Sequence, residues 1–118
     1  MRLIISFLFL LTLNISVAQT KKEFTEQEYL ELQDKIRFSM NGNFDEGIAF
    51  ANELQKSTNN EHLAFAYGSG SYLYQLKNNR TKSDEWYSKA LAYYNKLPES
   101  VQKINLRAYL YNYRGLIE

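Results

Sequence analysis

Cysteine is absent from the 118 residues, which excludes a disulfide framework, a thiolate metal site and a cysteine nucleophile. A single histidine, His62, leaves no multi-histidine metal site for this chain to build alone. Neither charge sign is in real excess: fourteen Lys plus Arg stand against thirteen Asp plus Glu, a formal net charge of +1. A polyanion-binding surface needs a concentrated basic patch, so nucleic acid is not an expected partner. One proline, few β-branched residues and no sustained period-two alternation argue against strands. No phosphate-cradling glycine loop is present, because Gly68-Ser69-Gly70 falls inside a helical pattern rather than after a strand. The length suits one small domain.

Residues 1–18 read as a secretory signal. Arg2 is a short positive n-region, and Leu3 to Leu13 form an apolar run broken only by Ser6 and Thr12. Ser16-Val17-Ala18 then places small residues at both key cleavage positions. Eleven apolar-run residues make roughly 16 Å of helix, against a bilayer core of about 30 Å, so an uncleaved span is the weaker reading. No cysteine follows the run, which removes lipoprotein attachment. Export combined with zero cysteines looks bacterial, since secreted eukaryotic domains of this size usually carry bridges. The expected location is therefore the periplasm or cell envelope. Only Arg2 among the charges is lost with the signal, and all ten tyrosines lie beyond it.

Residues 19–28 are charged and flexible in character. From there the pattern is helical through residue 118. A first helix over about residues 24–40 aligns Tyr29, Leu32, Ile36 and Met40. Asn41-Gly42-Asn43 stops it, with Gly42 able to take positive φ. Asn43 with Glu46 has the form of a capping box for a second helix striped by Phe44, Ile48, Ala51 and Leu54. A third helix spans about residues 61–76, with Leu63, Tyr67 and Tyr74 sharing a face. The Gly68-Ser69-Gly70-Ser71 cluster in its middle costs about 1 kcal/mol per glycine in helix propensity. Close approach of a neighbouring helix is the usual compensation. Thr81 with Asp84 is the expected cap of a fourth helix, which ends before Pro98. Ser100 caps a fifth helix whose expected stripe is Val101, Ile104, Ala108, Tyr111 and Gly115. Tyr67, Tyr74, Tyr87, Ala90 and Tyr111 are assigned to the core, and Trp86 to buried packing. His62, beside Glu61 at a helix start, reads as a surface histidine, with no nucleophile or second base specified near it. Asp45-Glu46 and Asp84-Glu85 complement helix dipoles and do not make an acid/base pair or metal site. No catalytic residue, metal or cofactor is indicated.

Two segments share a helix–turn–helix shape, residues 29–54 and 64–91. Gly47 to Ala51 parallels Ser83 to Tyr87 at a separation of 36 residues, and Ala64 to Ser71 parallels Ala108 to Gly115 at a separation of 44. Two-helix periods of roughly 34 to 47 residues indicate an α-solenoid. Gly42-Asn43-Phe44-Asp45-Glu46-Gly47-Ile48 resembles the turn and helix start of the tetratricopeptide repeat (TPR) family. Tyr87-Ser88-Lys89-Ala90-Leu91 resembles that family's second-helix close, and Tyr111-Asn112-Tyr113-Arg114-Gly115-Leu116 its first-helix signature. The departures are Lys35 or Ile36 where the family has a small residue, Asn78 where it has glycine, and extra length around residues 95–100. The chain thus reads as an all-α TPR-like solenoid of antiparallel helix pairs over residues 29–118, about two and a half repeats.

A signal peptide followed by long, Tyr- and Asn-rich repeats is similar to the sensor region of exported bacterial TPR-containing regulators. Those proteins continue into a transmembrane helix and a cytoplasmic module, so this chain is expected to be the amino-terminal part of a longer protein. Tyr111, Gly115 and Leu116 are then expected to lack their partner helix. Membrane contact would come only through such a following segment or an uncleaved signal. The resemblance implies a concave face of first helices that binds extended peptides. Carried over by position, its candidates are Tyr72, Gln75, Tyr109, Asn112 and Tyr113. Tyrosine suits that role through broad contact area and a polar tip, although aromatic residues at helical spacing also serve as packing. The implied function is a non-catalytic scaffold for a protein or peptide partner, in signal sensing. The other readings are an envelope assembly or uptake adaptor, and a carbohydrate-active domain with Tyr-lined subsites, disfavoured by the missing acid/base pair.

Overall fold

The computed structural model describes residues 20–117, with side chains through Tyr113; the expected signal peptide and the expected packing of Gly115 and Leu116 lie outside what is described. Among the described residues five helices follow one another: α1 (Glu26–Ser39), α2 (Phe44–Leu54), α3 (Asn60–Leu76), α4 (Arg80–Tyr94) and α5 (Val101–Ile117). No strand occurs among the described residues, only an isolated parallel bridge between Lys22 and Ser57.

Each helix start has a local cause. Thr25 opens α1 with a reciprocal capping box: the Glu28 amide donates to Thr25 Oγ1 at 3.1 Å, and the Thr25 amide donates to Glu28 Oε1 at 3.0 Å. The Lys22 ammonium and the Thr25 amide hold the Glu28 carboxyl down to about 2. The boundary drawn at residue 28 thus falls inside α1, and the Lys22 amide donates to Lys56 O at 2.9 Å. Gly42, at φ 140°, turns the chain into α2. The expected capping box at Asn43 does not form: its ψ of 56° is far from the extended geometry in which an N-cap side chain reaches the next amides. The expected cap at Thr81 is also displaced. Asn78 takes a left-handed φ of 62°, which brings Asn79 to the N-cap, where its Oδ1 accepts from the Lys82 amide at 3.1 Å. Ser100 caps α5 as expected, accepting from the Lys103 amide at 3.1 Å.

Packing centres on α3. It touches every other helix, α1 packs on α2, and α4 packs on α5. No Cα of α1 comes within 8 Å of one in α5. The glycine–serine cluster explains how α3 accommodates so many neighbours. A Cβ on Gly70 would lie 2.3 Å from the Trp86 ring of α4, and one on Gly68 would lie 2.3 Å from a Leu110 methyl of α5. Ser71 Oγ donates to the Ser83 carbonyl at 2.7 Å, closing the α3–α4 crossing with two small buried residues. Gly47 does the same for α2, where a Cβ would strike Ser39 of α1 and Leu73 of α3. The core gathers Tyr29, Ile36, Ile48, Ala51, Leu54, Phe65, Leu73, Trp86 and Ala90, with Tyr67 and Tyr74 half-buried against it.

The phase of α5 differs from expectation. Leu106, Leu110 and Tyr113 are buried, whereas Val101 is 69%, Ile104 63% and Tyr111 59% exposed, and Ala108 is exposed too. Tyr111 is therefore not core. The cause lies on α3: Leu110 fills the gap above Gly68, and Tyr113 stacks on Tyr72 with ring centroids 5.2 Å apart.

Candidate functional site

The faces of α1, α3 and α5 meet along a groove in which Tyr109 is exposed. Beneath it runs a set of rings: buried Phe65 sits edge-on to Tyr109 (centroids 6.3 Å apart), Tyr109 stacks on buried Tyr113 (6.4 Å), and Tyr113 stacks on half-buried Tyr72. Arg37, in the last turn of α1, lays its guanidinium 4.6 Å from the Tyr109 centroid and 5.5 Å from that of Phe65. Burial pushes the pKa of the Tyr113 hydroxyl up, with the nearby Arg37 guanidinium pulling the other way. Arg37 Nε is buried and donates no hydrogen bond, and Asp34, the carboxylate near its NH1, is 3.9 Å away and itself largely exposed. Thus α1 and α5, whose backbones stay apart, are linked through side chains.

The groove continues toward the start of α1 as a hollow of about 220 Å³ lined by Glu26, Tyr29, Gln33, Arg37, Glu61, Leu106 and Tyr109, among others. Tyr29 is buried against Phe65; burial pushes its phenol up, and so does the charge of the Glu61 carboxylate. Burial also raises the Glu61 carboxyl above its ordinary value, with the Tyr29 hydroxyl pulling the other way. One end of the hollow is therefore acidic and the other cationic, with aromatic surface between.

Three of the five sequence-derived candidates, Tyr72, Tyr109 and Tyr113, form this ladder. Asn112 is exposed, and Gln75 is half-buried in the last turn of α3 with its Oε1 unpartnered. Neither has a described contact with the ladder. Sequence reading missed Arg37 and Phe65. The 44-residue parallel sets Phe65 opposite Tyr109 and could have found the first ring; nothing local marks Arg37, whose role depends on how α1 lies across α3.

His62 is corrected from surface to interior. It is 4% exposed and stacked on Tyr29 (4.0 Å), with Phe24 edge-on and Ser57 Oγ 2.7 Å from Nδ1. Desolvation lowers its pKa, partly offset by Glu26. Ser57 Oγ also accepts from the Asn59 amide at 3.0 Å. Both side chains are buried and neither lines the groove, so the pair fastens the α2–α3 turn rather than facing a substrate. Among the described residues, no cluster of three or more His, Cys, Asp or Glu could hold a metal, and no helix is long and apolar enough to cross a membrane. The chain matches no family model, no curated protein and no solved structure.

Proposed function

We propose that this chain is a TPR-like solenoid that binds an extended peptide or protein segment along the α1–α3–α5 groove. The observation that carries the reading is the aromatic ladder Phe65–Tyr109–Tyr113–Tyr72 with Arg37 laid over it, built from helices far apart in sequence. The accessible members, exposed Tyr109 and half-buried Tyr72, offer contact area with little side-chain entropy to lose and a polar edge for a peptide backbone, while buried Phe65 and Tyr113 hold them in place. The order of packing supports the solenoid: α3 lies on both helices before it, and α5 on both helices before it. The export signal read in residues 1–18 favours the cell envelope, and a sensing role in a bacterial regulator is the form of scaffold this reading prefers. An adaptor would use the same groove without a signalling output.

The test is selection of short linear peptides against the full chain by display, followed by affinity measurement on variants. A Tyr72→Ala/Tyr109→Ala double variant that keeps its helical circular dichroism is expected to lose about tenfold or more in affinity for the selected peptides, a loss of about 1.4 kcal/mol. Unchanged affinity discards the groove.

A further inference from the structure

The outward side of α5 carries a second surface. Val101, Ile104, Ala108 and Tyr111 lie on it in the open, and Ile104, Arg107, Ala108 and Tyr111 line a shallow hollow of about 290 Å³. Arg107 rests over the Tyr111 ring at 5.3 Å. What belongs on such a surface is indicated by α3.

The two helices can be aligned at 44 residues. The buried stripe of α5, Leu106, Leu110 and Tyr113, then falls opposite His62, Ala66 and Ser69, all buried. The exposed positions Ala108 and Tyr111 fall opposite buried Ala64 and half-buried Tyr67, while Ile104 falls opposite Asn60 at the start of α3 and Val101 opposite Ser57 in the turn before it. At Tyr67 the cover is α4. Its ring is held edge-on to Trp86 (5.4 Å) and stacked on Tyr93 (5.8 Å), two aromatics seven residues apart on one side of α4. The pairs Ser71–Ser83, Gly70–Trp86 and Gly68–Ala90 show that α4 runs antiparallel to α3. Tyr111 thus presents on α5 the ring that Tyr67 presents to α4.

We propose that this stripe docks an amphipathic helix, antiparallel to α5, that carries two aromatic side chains seven residues apart to straddle Tyr111 and a carboxylate to meet Arg107. A second copy stacked end to end is the poorer occupant. The far end of the molecule offers Phe38 of α1 and Phe50 of α2, rings on different helices, rather than two rings on one helix.

The probe is a peptide of residues 79–97, the helix that covers Tyr67, cross-linked between positions 88 and 92, both exposed in the protein, to hold it helical. It is titrated into the isotope-labelled full chain. Saturable amide shifts at Ile104, Ala108 and Tyr111 are expected. Tyr111→Glu, at a site too exposed to disturb folding, should weaken binding about tenfold or more at unchanged melting temperature, and a peptide with Trp86→Ala and Tyr93→Ala should give no shifts. Absence of saturable binding up to about 1 mM, a Kd no tighter than about −4 kcal/mol, overturns the proposal. So do shifts centred on Tyr67 and Gly70 with none at Tyr111, and so does self-association of the chain that Tyr111→Glu abolishes, which would give the surface to a second copy.

Discussion

Gly68 and Gly70 occupy one helix two residues apart, yet their substitution should have different consequences. Replacing a mid-helix glycine by alanine gains about 1 kcal/mol of helix propensity. At Gly68 the obstructing atom is a terminal methyl of Leu110, which can rotate away, so Gly68→Ala should be close to neutral. At Gly70 the obstruction is the Cζ3–Cε3 edge of the rigid Trp86 indole, itself wedged among Tyr67 and Tyr74. Overpacking there costs about 1–3 kcal/mol or more, so Gly70→Ala should destabilise on balance. Urea unfolding of the two variants checks the order; equal effects contradict the crossing described. His62 gives a second residue-scale expectation. Its folded pKa lies below the ordinary 6.5, so the unfolded chain takes up a proton first as the pH falls. The stability it contributes is complete above about pH 6.5 and is lost below that value. His62→Gln should flatten the stability–pH curve below about pH 6.5; an unchanged slope would assign the titration elsewhere. The close approach at the glycines was legible in the sequence, because a glycine–serine cluster inside a helical pattern demands a packing reason. The burial of His62 was not. The residues just before it, Asn59 to Glu61, are polar and mark a helix start, and what covers it, Tyr29 and Phe24, comes from more than thirty residues away.

At the scale of elements, the existence of all five helices and the stripes of α1 and α2 could be read from periodicity. The caps could be read only where they depend on the cap residue alone, as at Ser100. Asn43 and Thr81 failed because capping also depends on the backbone entering the helix, here the ψ of Asn43 and the left-handed Asn78. On α5 the sequence offers two apolar stripes, and periodicity cannot choose between them. The choice is made by α3, whose Gly68 admits Leu110. Leu110→Ala should therefore destabilise by about 2–5 kcal/mol, while Ile104→Ala should stay within about 0.5 kcal/mol. Thermal or chemical unfolding of the pair reads the phase directly, and the reverse order would restore the stripe expected from sequence.

At the scale of the whole molecule, the successive helix pairs lie on α3 in an order that keeps α1 and α5 apart in backbone and joins them through Arg37, Tyr109 and Tyr113. Such a junction is invisible to local patterns, because its members come from three helices and no two of its rings are adjacent in sequence. Tyr72, Tyr109 and Tyr113, carried over from the family resemblance, meet in this junction. Gln75 and Asn112, carried over with them, have no described contact with it. The groove is also the surface on which the functional reading rests, and it competes with the apolar hollow of about 430 Å³ beside Phe38 and Phe50 at the other end. An NMR titration of the full chain with a display-selected peptide separates the two most directly. The expected result is saturable perturbation of the Arg37 Nε–H resonance and of the Tyr72, Tyr109 and Tyr113 ring signals. Perturbation confined to Phe38 and Phe50, with the Arg37 and tyrosine signals unmoved at saturation, would contradict it.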